Sequence, residues 1–203
     1  MAPADFGIGG GWGGLRVTKT FVNKFTDAND QRGKFYTQGQ SLEINDLGDF
    51  KNGYAFIKYK NVTSTGVSGS DKSGVFVDTD LPLYRLADVY LMYAEATLRG
   101  GNGSLSTALG YINALKTRAG AATISSGDLT LNFILDERSR ELSWEFTRRT
   151  DLIRFGLFTS STYLWPWKGG VKDGKGVEDF RNLFPIPAND IVANRNLVQN
   201  PGY

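Results

Sequence analysis

Tyr84-Arg85-Leu86-Ala87-Asp88-Val89-Tyr90-Leu91-Met92-Tyr93-Ala94-Glu95-Ala96 is the stretch that decides the fold. Two apolar rows run through it and its flanks at helical spacing. One holds Leu83, Ala87, Leu91, Ala94 and Leu98, the other Leu86, Val89, Tyr90 and Tyr93. A helix apolar on two sides is sandwiched between neighbours. The pattern predicts a helix from about Leu81 to Arg99, with Asp80 as N-cap, Pro82 in the first turn and Gly100-Gly101 as the stop. A second helix is predicted over Leu105 to Arg118, with Leu105, Leu109, Ile112 and Leu115 inward and Gly120 ending it. The short glycine link between the two predicts an antiparallel hairpin. A third helical pattern spans about Leu129 to Phe155 and would reach ~40 Å if unbroken.

The flanks read differently. Residues 1–80 are rich in Gly, Asn, Asp, Ser and Thr, with extended character from Gly14 to Phe25, alternation from Tyr54 to Lys60, and a further short strand at Val75-Phe76-Val77. Residues 159–203 are aromatic and proline-rich. Phe184-Pro185-Ile186-Pro187 must be extended, because each proline disfavours helix in the residue before it. Ala188 to Asn194 allows one short helix, and the tail reads as a strap over the helices. The expected class is mainly α with irregular and short β segments. A helical hairpin plus a long helix is wrapped by loops in a single domain, with zones 1–80, 81–158 and 159–203.

Composition narrows the chemistry. The 203 residues include no Cys and no His. That excludes disulfides, thiol nucleophiles, a Ser-His-Asp triad and His-rich zinc sites. Oxygen ligands remain, which would suit a hard cation such as calcium; Asp78 and Asp80, with Asp71 nearby, are the weak candidates. No other cofactor is expected. A net charge of +2 without a basic run gives no footprint for nucleic acid. No apolar run approaches the ~18 residues of a membrane span. Met1-Ala2-Pro3 leads toward glycines and not into an apolar segment, so no signal peptide is read.

Two glycine motifs fail on context. Gly9 to Gly14 satisfies G-x-G-x-x-G but lacks a strand before it and a helix after it. Gly169 to Lys175 satisfies G-x-x-x-x-G-K, yet Gly176 replaces the Ser or Thr that would hold magnesium.

The third helical pattern carries the densest charge. Glu137, Glu141 and Glu145 recur every four residues and so share a face, with Arg138, Arg140, Arg148 and Arg149 three or four residues away and Asp151 and Arg154 beyond. An enzyme reading takes Glu137, Glu141 or Asp151 as the carboxylates of a glycosidase. The competing reading is an ion-pair lattice. Arginines hold carboxylates ionised, whereas a general acid needs a raised pKa, and this favours the lattice. Asp88 and Glu95, with Arg85 and Arg99 at pairing distance, are read the same way.

Aromatic residues mark the other candidate. Tyr163-Leu164-Trp165-Pro166-Trp167-Lys168-Gly169-Gly170 gathers three rings in a Gly-ended loop, and Trp12 lies among glycines. Indole faces stack on the C–H face of a pyranose, so Trp12, Arg16, Trp165 and Trp167 are the candidate ligand-binding residues on chemical grounds. The alternative is that Trp165 and Trp167 seal the core. Trp144 is expected in the core. Asn61-Val62-Thr63 and Asn102-Gly103-Ser104 are weak glycosylation triplets.

At the helical zone the sequence resembles the SusD/RagB family. Tyr84 to Ala96 resembles its RLADVYLMYAEA signature, and Asn113-Ala114-Leu115-Lys116-Thr117-Arg118-Ala119-Gly120 a second block, with Lys116 where Arg is usual. Leu135 to Leu142 with Glu145, Arg149, Asp151 and Arg154-Phe155-Gly156 resembles a third. The terminus Leu183-Phe184-Pro185-Ile186-Pro187 and Gln199-Asn200-Pro201-Gly202-Tyr203 resembles a fourth, and the Gly11-Trp12-Gly13-Gly14 start also fits.

The resemblance implies the C-terminal region of an α-α superhelical fold. It implies a lipoprotein at the outer surface of the outer membrane that binds glycans or peptides without catalysis, for polysaccharide utilisation and nutrient uptake. The implied partner is a SusC-like TonB-dependent transporter, with membrane attachment only through a lipid anchor. Family members are roughly twice as long or more, so the expectation is a piece without the N-terminal helical repeats, whose exposed hairpin face a homodimer would cover. A module that only contacts the transporter is the third reading.

Overall fold

Ser104 and Thr130 each follow a loop and precede an apolar-periodic run. Each side-chain oxygen accepts the backbone N–H three residues on, Ser104 from Thr107 at 3.4 Å and Thr130 from Phe133 at 3.2 Å, and a helix starts at each. The computed structural model describes residues 6–9, 14–71, 73 and 75–203. The chain divides into two compact units, Met1–Arg148 and Arg149–Tyr203. The first unit holds β1 (Arg16–Val17), α1 (Lys19–Val22), β2 (Phe35–Tyr36), β3 (Tyr54–Phe56), α2 (Leu86–Leu98), α3 (Leu105–Arg118) and α4 (Leu131–Glu141). Helix α5 (Arg148–Arg154) leads into the second unit, which also holds α6 (Ala188–Ala193).

The architecture is mainly helical. Helices α2 and α3 form the antiparallel hairpin, and α4 packs on α2. Their shared core centres on Leu91, Ala94, Ala108, Ile112 and Ile134, all fully buried. Each such Leu or Ile contributes about 1.5–3 kcal/mol by leaving water. Tyr90 of α2 stacks on Tyr111 of α3 with ring centroids 4.2 Å apart, so the second apolar row of α2 is also partly covered. A small antiparallel sheet runs in the order β1-β3-β2, with Arg16 opposite Ala55 and Phe35 opposite Phe56. Ala55 is fully buried, and Phe21, Phe25, Phe35 and Phe56 form an edge-to-face cluster beside it.

Three local expectations change. Helix α2 starts at Leu86, not Leu81, because Arg85 is extended (φ −148, ψ 156) and serves as the N-cap in place of Asp80. The run over 15–25 is only briefly extended before turning into α1. Val75 to Val77 is an exposed loop and not a strand, because the Asp71 carboxylate draws in the backbone N–H groups of Val75 (3.0 Å) and Phe76 (2.8 Å).

The long helix is also interrupted. After Glu141 the helical ladder gives way to a non-helical turn whose carbonyls meet cations: Glu141 O accepts from Arg85 Nη2 (2.6 Å) and Lys58 Nζ (3.0 Å), and Ser143 O from Lys58 Nζ (3.0 Å). Trp144 and Phe146 then take positive φ of 63° and 60°. Trp144, expected in the core, is 38% exposed and stacks on Phe56 at 5.3 Å.

Candidate functional site

The glutamates of α4 sit inside a lattice of cations. Glu137 and Glu141 are 0% and 2% exposed. Arg32 Nη1 bridges them, at 2.8 Å from Glu137 and 2.9 Å from Glu141, while its Nη2 meets Asp30 at 2.7 Å. Arg140 adds a second contact to Glu137 at 2.7 Å. Arg85 and Arg118 converge on the other oxygen of Glu141, and Arg85 and Lys58 close on Glu145.

Burial works to raise the Glu141 pKa, but hydrogen bonds from Arg85 and Arg118 outweigh it and hold the carboxyl down at about 2. Glu145 is lowered in the same way, against burial, by Arg85 and Lys58. Burial lowers Lys58, and Glu145 opposes it. Glu141 and Glu145 line an open cleft of about 650 Å³ with Arg32, Lys58, Arg85 and Arg118, yet every one of those carboxylate contacts is cationic. Such carboxylates are poor proton donors at neutral pH.

Asp88 meets Arg138 at 2.8 Å, Glu95 meets Arg99 at 2.9 Å and Asp151 meets Arg154 at 2.8 Å. Asp78 accepts from the backbone N–H and hydroxyl of Ser70 at 2.7 and 2.8 Å, and Asp80 borders the basic cleft. Among the described residues no group of three or more acidic side chains is placed to hold a metal. Arg16 directs its guanidinium to the carbonyls of Asp49, Asn52 and Leu47 at 2.6–2.9 Å, so it ties a loop together beneath Phe50. Trp12 lies outside the described residues.

The second unit contains an aromatic cleft of about 640 Å³, and Trp165 and Trp167 both line it. Trp165 leans on Phe158 (6.2 Å) and Tyr163 (6.5 Å), partly buried, with one edge of the cleft left to solvent. Trp167 has φ +70, and its N–H donates to Lys172 O at 3.1 Å, which turns the loop sharply. Gly174, at φ +80, lets the returning loop pass so close to the Trp165 carbonyl that a Cβ there would sit 2.4 Å from its oxygen. Lys168 is 3% exposed and donates to Ser160 O (2.5 Å) and Tyr163 O (2.8 Å), with Nζ 4.5 Å from the Trp165 ring. Burial lowers its pKa.

The chain terminus forms the rim. Arg149 was expected in an ion pair; its guanidinium instead donates to Arg181 O (2.8 Å) and Asn182 O (3.2 Å) and lies 3.9 Å from the Phe184 ring and 4.9 Å from that of Phe158. Gln199 pairs both ways with the Ile186 backbone, Asn200 donates to Phe184 O, and Tyr203 Oη donates to Leu183 O, each at 2.8–2.9 Å. The extended proline segment and the Gln199–Tyr203 turn are therefore one stitched edge, with Phe184 and Tyr203 exposed on it.

Sequence reasoning missed Asp30, Arg32, Lys58 and Arg118 in the lattice, and Phe158, Phe184 and Tyr203 in the cleft. None belongs to a periodic pattern pointing at its partner. The four arginines already within reach of the three glutamates in sequence gave no sign that partners would come from elsewhere in the chain.

A family model described as the SusD family matches residues 45–203. The starch-binding protein SusD of Bacteroides thetaiotaomicron is 39% identical over 180 residues, covering 87% of this chain and 31% of that protein. SusD-like protein P2 of Formosa agariphila is 32% identical over 194 residues, covering 90% of this chain and 36% of that one. Among solved structures, surface glycan-binding protein A from B. thetaiotaomicron superposes with a TM-score of 0.66 at 26% identity, over 98% of this chain and 44% of that one. The chain thus spans about a third of the length of these curated relatives.

Proposed function

The chain belongs to the SusD family, and from that premise we propose that it holds a carbohydrate without altering it. The proposed setting is capture of glycan at the bacterial outer surface, by a lipid-anchored protein acting with a SusC-like TonB-dependent transporter in polysaccharide uptake. The observation that carries the binding reading is the cleft of the second unit, where Trp165 and Trp167 share a wall with Phe158 and Phe184 and polar groups stand at the edge. Flat rings bind the apolar faces of sugar rings, and adjacent Arg and Lys donate to hydroxyl groups. Names given to relatives agree in kind, since one is a starch-binding protein and another a surface glycan-binding protein.

A non-catalytic role is supported by the state of the carboxylates at the end of α4 and in the break after it. A glycosidase needs one carboxyl with a raised pKa, and here Glu141 and Glu145 are lowered by arginine and lysine. Affinity electrophoresis in gels containing a panel of polysaccharides tests the proposal. Retardation by at least one polymer, lost in Trp165→Ala and reduced in Trp167→Ala, is the expected result. Release of reducing sugar that disappears in Glu141→Gln would overturn it in favour of hydrolysis. No retardation by any polymer would leave an interaction module that contacts only the transporter.

A further inference from the structure

Cations are balanced differently at the two clefts. Around the first, Arg32, Arg85, Arg118, Arg140 and Lys58 each meet a carboxylate. At the aromatic cleft, four cationic side chains and one carboxylate line the wall: Arg149, Lys168, Lys175, Arg181 and Glu178. Arg181 pairs with Glu178 at 3.0 Å, and the Lys175 charge also acts on that one carboxylate, which leaves the wall with more cations than anions. Lys168 is satisfied by carbonyls and the Trp165 ring, and Arg149 by carbonyls and the rings of Phe158 and Phe184. Carbonyl dipoles and ring quadrupoles satisfy donors but leave the net charge in place. Lys175 is exposed, and it makes no ion pair among the described residues.

The same lysine ends the G-x-x-x-x-G-K spacing of Gly169 to Lys175. The backbone N–H groups of Gly170, Gly174 and Lys175 donate within the loop, to Trp167 O, Val171 O and Lys168 O at 2.9–3.1 Å. Those three N–H groups are engaged within the loop; its charged contribution at the cleft is the Lys175 ammonium. A concave site with a surplus of one sign of charge concentrates ligands of the other sign.

We infer that the glycan taken by this cleft is acidic, its sugar rings against the aromatic wall and its carboxylate or sulfate groups toward Lys175 and Arg149. The inference rests on the carbohydrate reading above and adds the sign of the ligand's charge.

The test uses the 203-residue chain in affinity gels containing soluble starch, polygalacturonate or a sulfated galactan, at low and high NaCl. Expected is stronger retardation by an acidic polymer than by starch, weakening as salt rises. Which acidic polymer retards tells carboxylate from sulfate. Lys175→Glu weakens that binding by about fivefold or more, the size of one partly exposed charge contact. Lys51→Glu, the same charge change at an exposed residue of the first unit, leaves it within about twofold. Circular dichroism confirms that both variants fold. Starch binding as strong as acidic-polymer binding, unaffected by Lys175→Glu, overturns the inference and leaves the carbohydrate reading standing. Retardation by none of the polymers sinks both. Acidic-polymer binding that Lys175→Glu weakens no more than Lys51→Glu is surface electrostatics and also overturns it.

Discussion

The guanidinium of Arg85 closes on both carboxylate oxygens of Glu145, with Nε 2.7 Å from Oε2 and Nη2 2.8 Å from Oε1. Arg85 stands immediately before α2 and Glu145 in the break after α4, so one fork joins two helix ends. The same fork reaches Glu141 through its carboxylate at 2.5 Å and its carbonyl at 2.6 Å. It thereby ties the start of α2 to the end of α4.

Removing that fork leaves two buried carboxylates short of a partner. Arg85→Ala is expected to destabilise the first unit by about 1.5–3 kcal/mol, since Arg32 and Arg118 still face Glu141 and Lys58 still faces Glu145. Arg85→Lys recovers only part of this, because an ammonium cannot make the paired contacts of a planar guanidinium. Urea unfolding followed by far-UV circular dichroism gives the comparison; equal midpoints for Arg85→Ala and the parent would refute it.

Acid should unlock the same lattice. The folded pKa of Glu141, about 2, lies below its ordinary value of 4.5. Its contribution is therefore present above pH 4.5 and is lost as pH falls toward 2. A shift of that size corresponds to about 3 kcal/mol. Stability measured at stepwise lower pH should fall across this window, and Glu141→Gln should flatten the fall while lowering stability at pH 7.

Lys168 is the post of the aromatic loop. In Lys168→Met the carbonyls of Ser160 and Tyr163 lose their donor, at about 1–3 kcal/mol, and the ring of Trp165 loses its cation. Reduced near-UV circular dichroism from the tryptophans, with little change in helical signal, is the expected readout. An unchanged near-UV spectrum would mean the loop is held by its rings alone.

Glycine substitutions separate backbone demand from mere position. At Gly174 the positive φ and the nearby Trp165 carbonyl predict a loss of about 1–3 kcal/mol for Gly174→Ala, together with weaker glycan retardation. Gly110 lies exposed within α3, where a Cβ meets nothing within 4 Å. Gly110→Ala is expected to stabilise by about 0.5–1 kcal/mol. Thermal melts of the two variants should move in opposite directions.

Periodicity carried the helical hairpin, with α3 matched end to end and α2 beginning five residues later than its pattern suggests. Helix α3 spans Leu105–Arg118 as its pattern and flanking loops require, since its ends are set by a local cap and a glycine. The family blocks were equally plain, because they are local strings. The interruption between α4 and α5 was not, since the apolar and charged pattern continues through it. The cations that capture the carbonyls of Glu141 and Ser143 come from Lys58 and Arg85, more than fifty positions away. The lattice partners Arg32 and Lys58 were hidden for the same reason.

By itself the order of residues determined the mainly helical class, the absence of thiol and imidazole chemistry, and the clustering of carboxylates along the third helical pattern, because each depends only on near neighbours or on composition. Tertiary structure decided which cation meets which carboxylate, where the long helical pattern breaks, and that the cations beside Trp165 face carbonyls and rings. Those outcomes depend on which distant segments come within hydrogen-bond reach, and no local pattern encodes that distance.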